Sequence, residues 1–203
     1  MKRRWPVLRS AIKTCMNGVC LALVSPCALS CYLWDRITHG SEAIFLFWAH
    51  MFSVFPGLPG VFLRRAYYRL TLDGCASNFY IGFGGLFTHR CARVEKDAYI
   101  GAYALVGSAH LGEGCLIGSR ASLLSGTALH AMDDQGRWLP CDMTRIRQIK
   151  IGDYAWVGEG AIIMANIGAG TMVAAGAVVE HDVRAGILVA GNPSRFVRKL
   201  REE

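Results

Sequence analysis

The sequence predicts an all-β fold, a parallel β-helix of short stacked coils, preceded by a pair of apolar helices. Two observations carry this. From Phe79 onward an aliphatic residue followed by glycine recurs at Ile81, Ile100, Val106, Leu111, Ile117, Ile151, Val157 and Ile167, and Val173-Ala174 and Val179 continue the series. Upstream, residues 14–34 and 43–63 contain no Asp, Glu, Lys or Arg. Composition agrees with a packed chain. Of 203 residues, 53% are hydrophobic and 18% charged, which excludes disorder and suits one domain with a small appendage. Nineteen of the 23 glycines lie between Gly74 and Gly191, so the turns concentrate in the second part. The net charge of +7 is compatible with phosphate-bearing ligands or an anionic membrane and decides neither.

The first element is the run 14–34. Its 21 residues are long enough, as a helix, to cross about 30 Å of hydrocarbon. Lys2, Arg3, Arg4, Arg9 and Lys13 precede it, and Asp35 and Arg36 follow. The second run ends at Arg64, Arg65 and Arg69. Positive residues flank both outer ends of this hairpin, which places both ends in the cytoplasm by the positive-inside rule. Pro26 interrupts the first run, and Pro56 and Pro59 shorten the second. The hairpin therefore spans, re-enters or lies in the interface, or else packs within an oligomer. A cleavable signal does not fit, because the apolar stretch is longer than an export h-region. Residues 1–73 are read as one membrane-associated helical region and residues 74–203 as a second unit.

The repeat defines that second unit. The intervals 94 to 100, 100 to 106, 111 to 117, 151 to 157, 157 to 163, 167 to 173 and 173 to 179 are all six. The steps 106 to 111 and 163 to 167 are five and four. Six is neither the helical period nor the strand period. It suits a unit with one inward apolar side chain, a short strand and a turn, with a small residue where the chain bends. Such a unit cannot bury its apolar residue alone, so units stack. Three units close one triangular coil.

The eight cysteines form no CxxC pair and no Cys/His cluster with zinc spacing. A chain this size needs no staples, so they read as reduced, buried thiols in a cytosol-exposed protein.

The segment 151–200, IGDYAWVGEGAIIMANIGAGTMVAAGAVVEHDVRAGILVAGNPSRFVRKL, resembles the hexapeptide-repeat acyltransferases. The likeness extends from about Phe79 to Val197, and GNPSRFVRKL resembles the ending of galactoside and maltose acetyltransferases. Residues 43–70 look like membrane-associated members linked to surface polysaccharides. This resemblance implies a left-handed β-helix, a short C-terminal helix over 192–203, a homotrimer, and acetyl-CoA bound in the groove between subunits. The repeat breaks between Ser125 and Arg147, and a loop over 130–148 leaves the solenoid there. His130 stands at its start. Imidazole suits general-base work, and in the resembling enzymes the first histidine of this loop is the base. His110 and Tyr103 are further candidates on the acceptor side. The resemblance places Glu159 near the thioester, Ala174 and Ala175 along the pantetheine arm, and Arg195 and Arg198 at the phosphates. Some relatives carry serine where Glu159 stands. A carboxylate cannot donate unless protonated, which leaves backbone N–H groups for the oxyanion. No metal is expected, although His89, His110 and His130 lie about one coil apart.

The expected activity is O-acyl transfer, most simply acetyl transfer, from acyl-CoA to a sugar hydroxyl. The sugar is expected to be a lipid-linked intermediate of surface polysaccharide or lipopolysaccharide, at the cytoplasmic face of the inner membrane. N-acylation of an amino sugar and a non-catalytic β-helix scaffold at the membrane are the alternatives. A scaffold needs no His130 loop, and nucleic acid is not an expected partner.

Overall fold

The computed structural model describes residues 4–125, 130–140 and 146–200, with side chains from residue 12 onward. Parts of the expected loop (141–145) and of the expected terminal helix (201–203), together with Cys141, Lys2 and Arg3, lie outside the described residues. The chain begins with α1 (Arg4–Thr38), α2 (Ala43–Ser53) and α3 (Gly57–Thr71). Helix α1 runs through Pro26 without ending.

The expected hairpin is thus three helices. Pro56 ends the second apolar run, but the chain then enters α3 with Pro59 in its first turn, where a missing N–H costs nothing. Helix α3 is a buried layer between α1 and the solenoid. Arg64 and Arg65, expected to flank a membrane segment, are 1% and 5% exposed. The Arg64 guanidinium donates to the carbonyls of Phe52, Ser53 and Phe55 and, through Nε, to that of Ile81. It thereby satisfies carbonyls left open at the end of α2 and ties them to the solenoid. Tyr67 donates to the Phe45 carbonyl at 2.8 Å, and the Tyr68 hydroxyl accepts the Phe87 N–H at 3.2 Å.

The solenoid follows. Its first turn comprises β1 (Gly74–Cys75), β2 (Tyr80–Ile81) and β3 (Leu86–Phe87). The second comprises β4 (Arg93–Val94), β5 (Tyr99–Ile100) and β6 (Leu105–Val106), and the third β7 (Ala109–Leu111), β8 (Leu116–Ile117) and β9 (Ser122–Leu123). After the loop come β10 (Ile149–Ile151), β11 (Trp156–Val157), β12 (Ile162–Ile163), β13 (Met172–Val173), β14 (Val178–Val179), β15 (Ile187–Ala190) and β16 (Arg195–Lys199). Strands stack in parallel into three faces. The first face is β1-β4-β7-β10, the second β2-β5-β8-β11-β13-β15-β16, and the third β3-β6-β9-β12-β14.

In nearly every two-residue strand the second residue is buried. Ile81, Ile100, Ile117, Val157 and Val173 form a fully buried column in register on the second face. Each buried aliphatic contributes roughly 1.5–3 kcal/mol. The glycine that follows lets successive turns approach. A Cβ on Gly118 would lie 2.6 Å from the Glu159 nitrogen, and one on Gly158 2.5 Å from that of Ala175. The short steps 106 to 111 and 163 to 167 fall between the third and first faces, where the long loop also leaves. The four-residue step therefore reshapes that corner and leaves the corner carrying Glu159 regular. The buried set runs unbroken from Cys20 and Val24 of α1 to Val189 of β15.

The terminal helix over 192–203 is corrected. Residues Arg195–Lys199 are a strand, β16, paired antiparallel with β15. Strand β15 would otherwise present an open parallel edge, and β16 covers it.

Candidate active site

His130 begins a hairpin that folds back on itself. Leu139 donates its N–H to the Ala131 carbonyl at 2.8 Å, Met132 bridges Trp138 in antiparallel fashion, and Asp133 donates its N–H to the Arg137 carbonyl at 2.9 Å. Gly136, at φ +76°, makes the reversal in a region few other residues enter. The Asp133 carboxylate accepts the N–H groups of Gln135 and Arg137 and pairs with the Arg137 guanidinium at 2.8 Å. The Arg137 backbone N–H, then its guanidinium, hold this carboxyl below the ordinary range.

The hairpin's returning arm fixes His130. Nδ1 lies 2.9 Å from the Leu139 carbonyl. A carbonyl only accepts, so Nδ1 carries the proton. In the neutral ring the free lone pair is then on Nε2, and the exposed ring can present it to a substrate.

Glu159, Ala174 and Ala175 meet at another corner, between the second and third faces. Gly176 donates its N–H to the Glu159 carbonyl at 2.8 Å, and Ala174 donates to the Val189 carbonyl at 2.9 Å. Arg195 pairs with Ala190, the residue that follows Val189. Glu159, Ala174, Ala175 and Arg195 therefore lie in sequence along one edge of the prism. Arg198 sits opposite Leu188 on the second face. Both arginines are exposed. Their guanidinium groups touch only the nearby carbonyls of Ser194 and Lys199, and among the described residues neither forms an ion pair. Their remaining donors are open to an anion. Ala174 is half-buried and Ala175 exposed, so this edge carries only small side chains there.

The loop that carries His130 leaves and re-enters the solenoid at the corner between the third and first faces, whereas the edge from Glu159 to Arg195 lies between the second and third. Residues 119 and 120 escaped the sequence reading. Ser119 lies directly over Glu159, and Arg120 pairs with the Glu159 carboxylate at 3.6 Å. They follow Ile117-Gly118 as Glu159 follows Val157-Gly158, so repeat phase could have found them, but the inserted loop interrupts the count. His89 and His110 do not converge with His130. His89 pairs with Glu42 at 2.7 Å and His110 with Glu95 at 3.1 Å. Among the described residues no cluster of three His, Cys, Asp or Glu has a metal-binding arrangement.

No family model matches the chain, and no curated protein matches it. Solved structures do. Galactoside acetyltransferase in complex with coenzyme A is 18% identical, with 79% of this chain and 81% of that chain covered and a TM-score of 0.59. A serine-to-cysteine mutant of AntD, an N-acyltransferase from Bacillus cereus in complex with dTDP-4-amino-4,6-dideoxyglucose and coenzyme A, is 18% identical, with 62% and 71% covered and a TM-score of 0.51. At these identities the likeness is one of fold: the chain shares the β-solenoid of these transferases.

Proposed function

We propose that this chain is an acetyl-CoA-dependent O-acyltransferase acting on a sugar hydroxyl. The observation that carries the reading is the exposed His130 ring, held through Nδ1 on the Leu139 carbonyl, which leaves Nε2 free for base chemistry. In this mechanism Nε2 takes the hydroxyl proton as the oxygen attacks the thioester carbonyl. Backbone N–H groups stabilise the oxyanion. The C–S bond then breaks, the acyl–oxygen bond remains, and His130 returns its proton to the departing CoA thiolate. The donor lies along the edge from Glu159 to Arg195, with Arg195 and Arg198 at its phosphates.

Because the loop that carries His130 leaves from a different corner than the donor edge, the complete site takes the base from one copy and the donor edge from its neighbour. This favours a homotrimer. The apolar helices favour association with the cytoplasmic face of the inner membrane and a lipid-linked acceptor of surface polysaccharide or lipopolysaccharide. The amino sugar bound to AntD supports a second reading, N-acylation at the same site. Mass spectrometry of products from acetyl-CoA and a panel of hydroxyl and amino sugars tests both. Acetyl esters support the proposal, amides support the second reading, and no transfer to any acceptor contradicts both.

A further inference from the structure

We infer that α1 lies flat in the membrane interface as a monotopic face, with the N-terminus and the solenoid on the same side of the bilayer. This rests on the membrane association proposed above and deepens it. Residues Ile12–Thr38 are long and apolar enough to cross a membrane. Yet they are held to the protein along their length. Lys13 bonds Asn78, Asn17 bonds Arg65, Cys31 meets the Tyr67 hydroxyl, Tyr32 bonds the Leu70 carbonyl, and Asp35 pairs with Arg90. These contacts extend over about 33 Å of helix, the thickness of the hydrocarbon core. A crossing α1 would drag α3, with its buried Arg64 and Arg65, and the first solenoid turn that α3 covers into lipid. That would leave polar backbone unsatisfied.

Lying flat resolves the conflict. The inner side of α1 (Cys20, Val24, Ala28, Cys31) is buried, while Val19, Leu23, Leu29, Leu33 and Ile37 are 50–71% exposed. No charged residue interrupts the helix between Lys13 and Asp35, and no acid precedes Asp35. Four basic residues ahead of Lys13 give this end of the helix a positive charge that complements anionic headgroups, so the occupant of this face is an anionic bilayer.

The test uses the full chain with an epitope at each end, in spheroplasts and in inverted inner-membrane vesicles treated with protease. Both epitopes should survive in spheroplasts and both should be cut in inverted vesicles. Epitopes on opposite sides would mean that α1 spans and would overturn the inference. In parallel, purified Leu23→Lys/Leu33→Lys should bind phosphatidylglycerol vesicles at least about tenfold more weakly than the parent at unchanged melting temperature. Unchanged binding, or a parent chain that ignores these vesicles, would also overturn it. Acetyl transfer to a soluble sugar, measured on the same preparations, separates this failure from failure of the catalytic reading.

Discussion

Gly158→Ala perturbs the donor edge at one atom. The added Cβ would lie 2.5 Å from the Ala175 nitrogen, 2.7 Å from the Ala174 carbonyl carbon and 2.8 Å from the Ala175 Cα. All three are backbone atoms, so no side chain can swing aside. Ordinary contact begins at 3.4 Å. The two turns must therefore part by roughly 0.9 Å, against a natural strand spacing of about 4.8 Å. That strain acts on two bonds of 2.8 Å, Gly158 N–H to the Val173 carbonyl and Gly176 N–H to the Glu159 carbonyl. Overpacking costs about 1–3 kcal/mol and weakening these bonds about 1 more, roughly 2–4 kcal/mol together. For a chain of this size that corresponds to a melting temperature lower by about 4–16 °C. Gly160→Ala is the control: nothing lies within 4 Å of its Cβ, and only its φ of +64° opposes the change. Its expected cost is about 1 kcal/mol. Calorimetry, with the apparent constant for acetyl-CoA measured alongside, compares them. Gly158→Ala should melt well below Gly160→Ala and bind donor more weakly. Equal stability of the two variants would refute the close-approach argument.

Three further outcomes are expected. Arg195→Ala should raise the apparent constant for acetyl-CoA about ten- to a hundredfold, but have little effect with an acetyl-pantetheine donor that lacks the nucleotide; equal losses with both donors would make Arg195 structural. Burial pushes the Cys115 thiol up to about 12, so iodoacetamide at pH 8 should label exposed Cys15 and spare Cys115 until the fold is denatured, as peptide mass spectrometry can show. Because the folded Asp133 carboxyl titrates below its ordinary value, its contribution to the hairpin is present above the ordinary carboxylate range and is lost as pH falls through the lowered one. Trp138 fluorescence should follow that loss, and Asp133→Ala should cut kcat about ten- to a hundredfold at unchanged acetyl-CoA KM; unchanged kcat would remove the hairpin from the mechanism.

The solenoid was legible because its physics repeats. Each Ile or Val ahead of a glycine or alanine needs a neighbour above and below, so the six-residue spacing marked the inward-facing residues, as Ile100, Ile117, Val157 and Val173 show. Irregularities were legible as positions but not as places. The five- and four-residue steps and the long loop share one corner, which only three-dimensional phase shows. The helical cap was misread at Arg64 and Arg65. Arginines after an apolar run ordinarily face water or headgroups, whereas here the Phe52, Ser53 and Phe55 carbonyls accept the Arg64 donors. The terminal strand was missed because an exposed RFVRK segment has no alternation of burial to mark it. What makes it a strand is the open edge of β15, a partner remote from local propensity. At the candidate site the sequence pointed to His130, but the Leu139 carbonyl that sets its tautomer is invisible until the hairpin folds.

The most direct test of the catalytic reading is single-turnover acetyl transfer by His130→Ala, with oligomeric state and acetyl-CoA affinity measured on the same sample. The account expects an intact assembly, near-parental donor affinity, and transfer slowed about 10²- to 10⁴-fold. Transfer at the parental rate would contradict it.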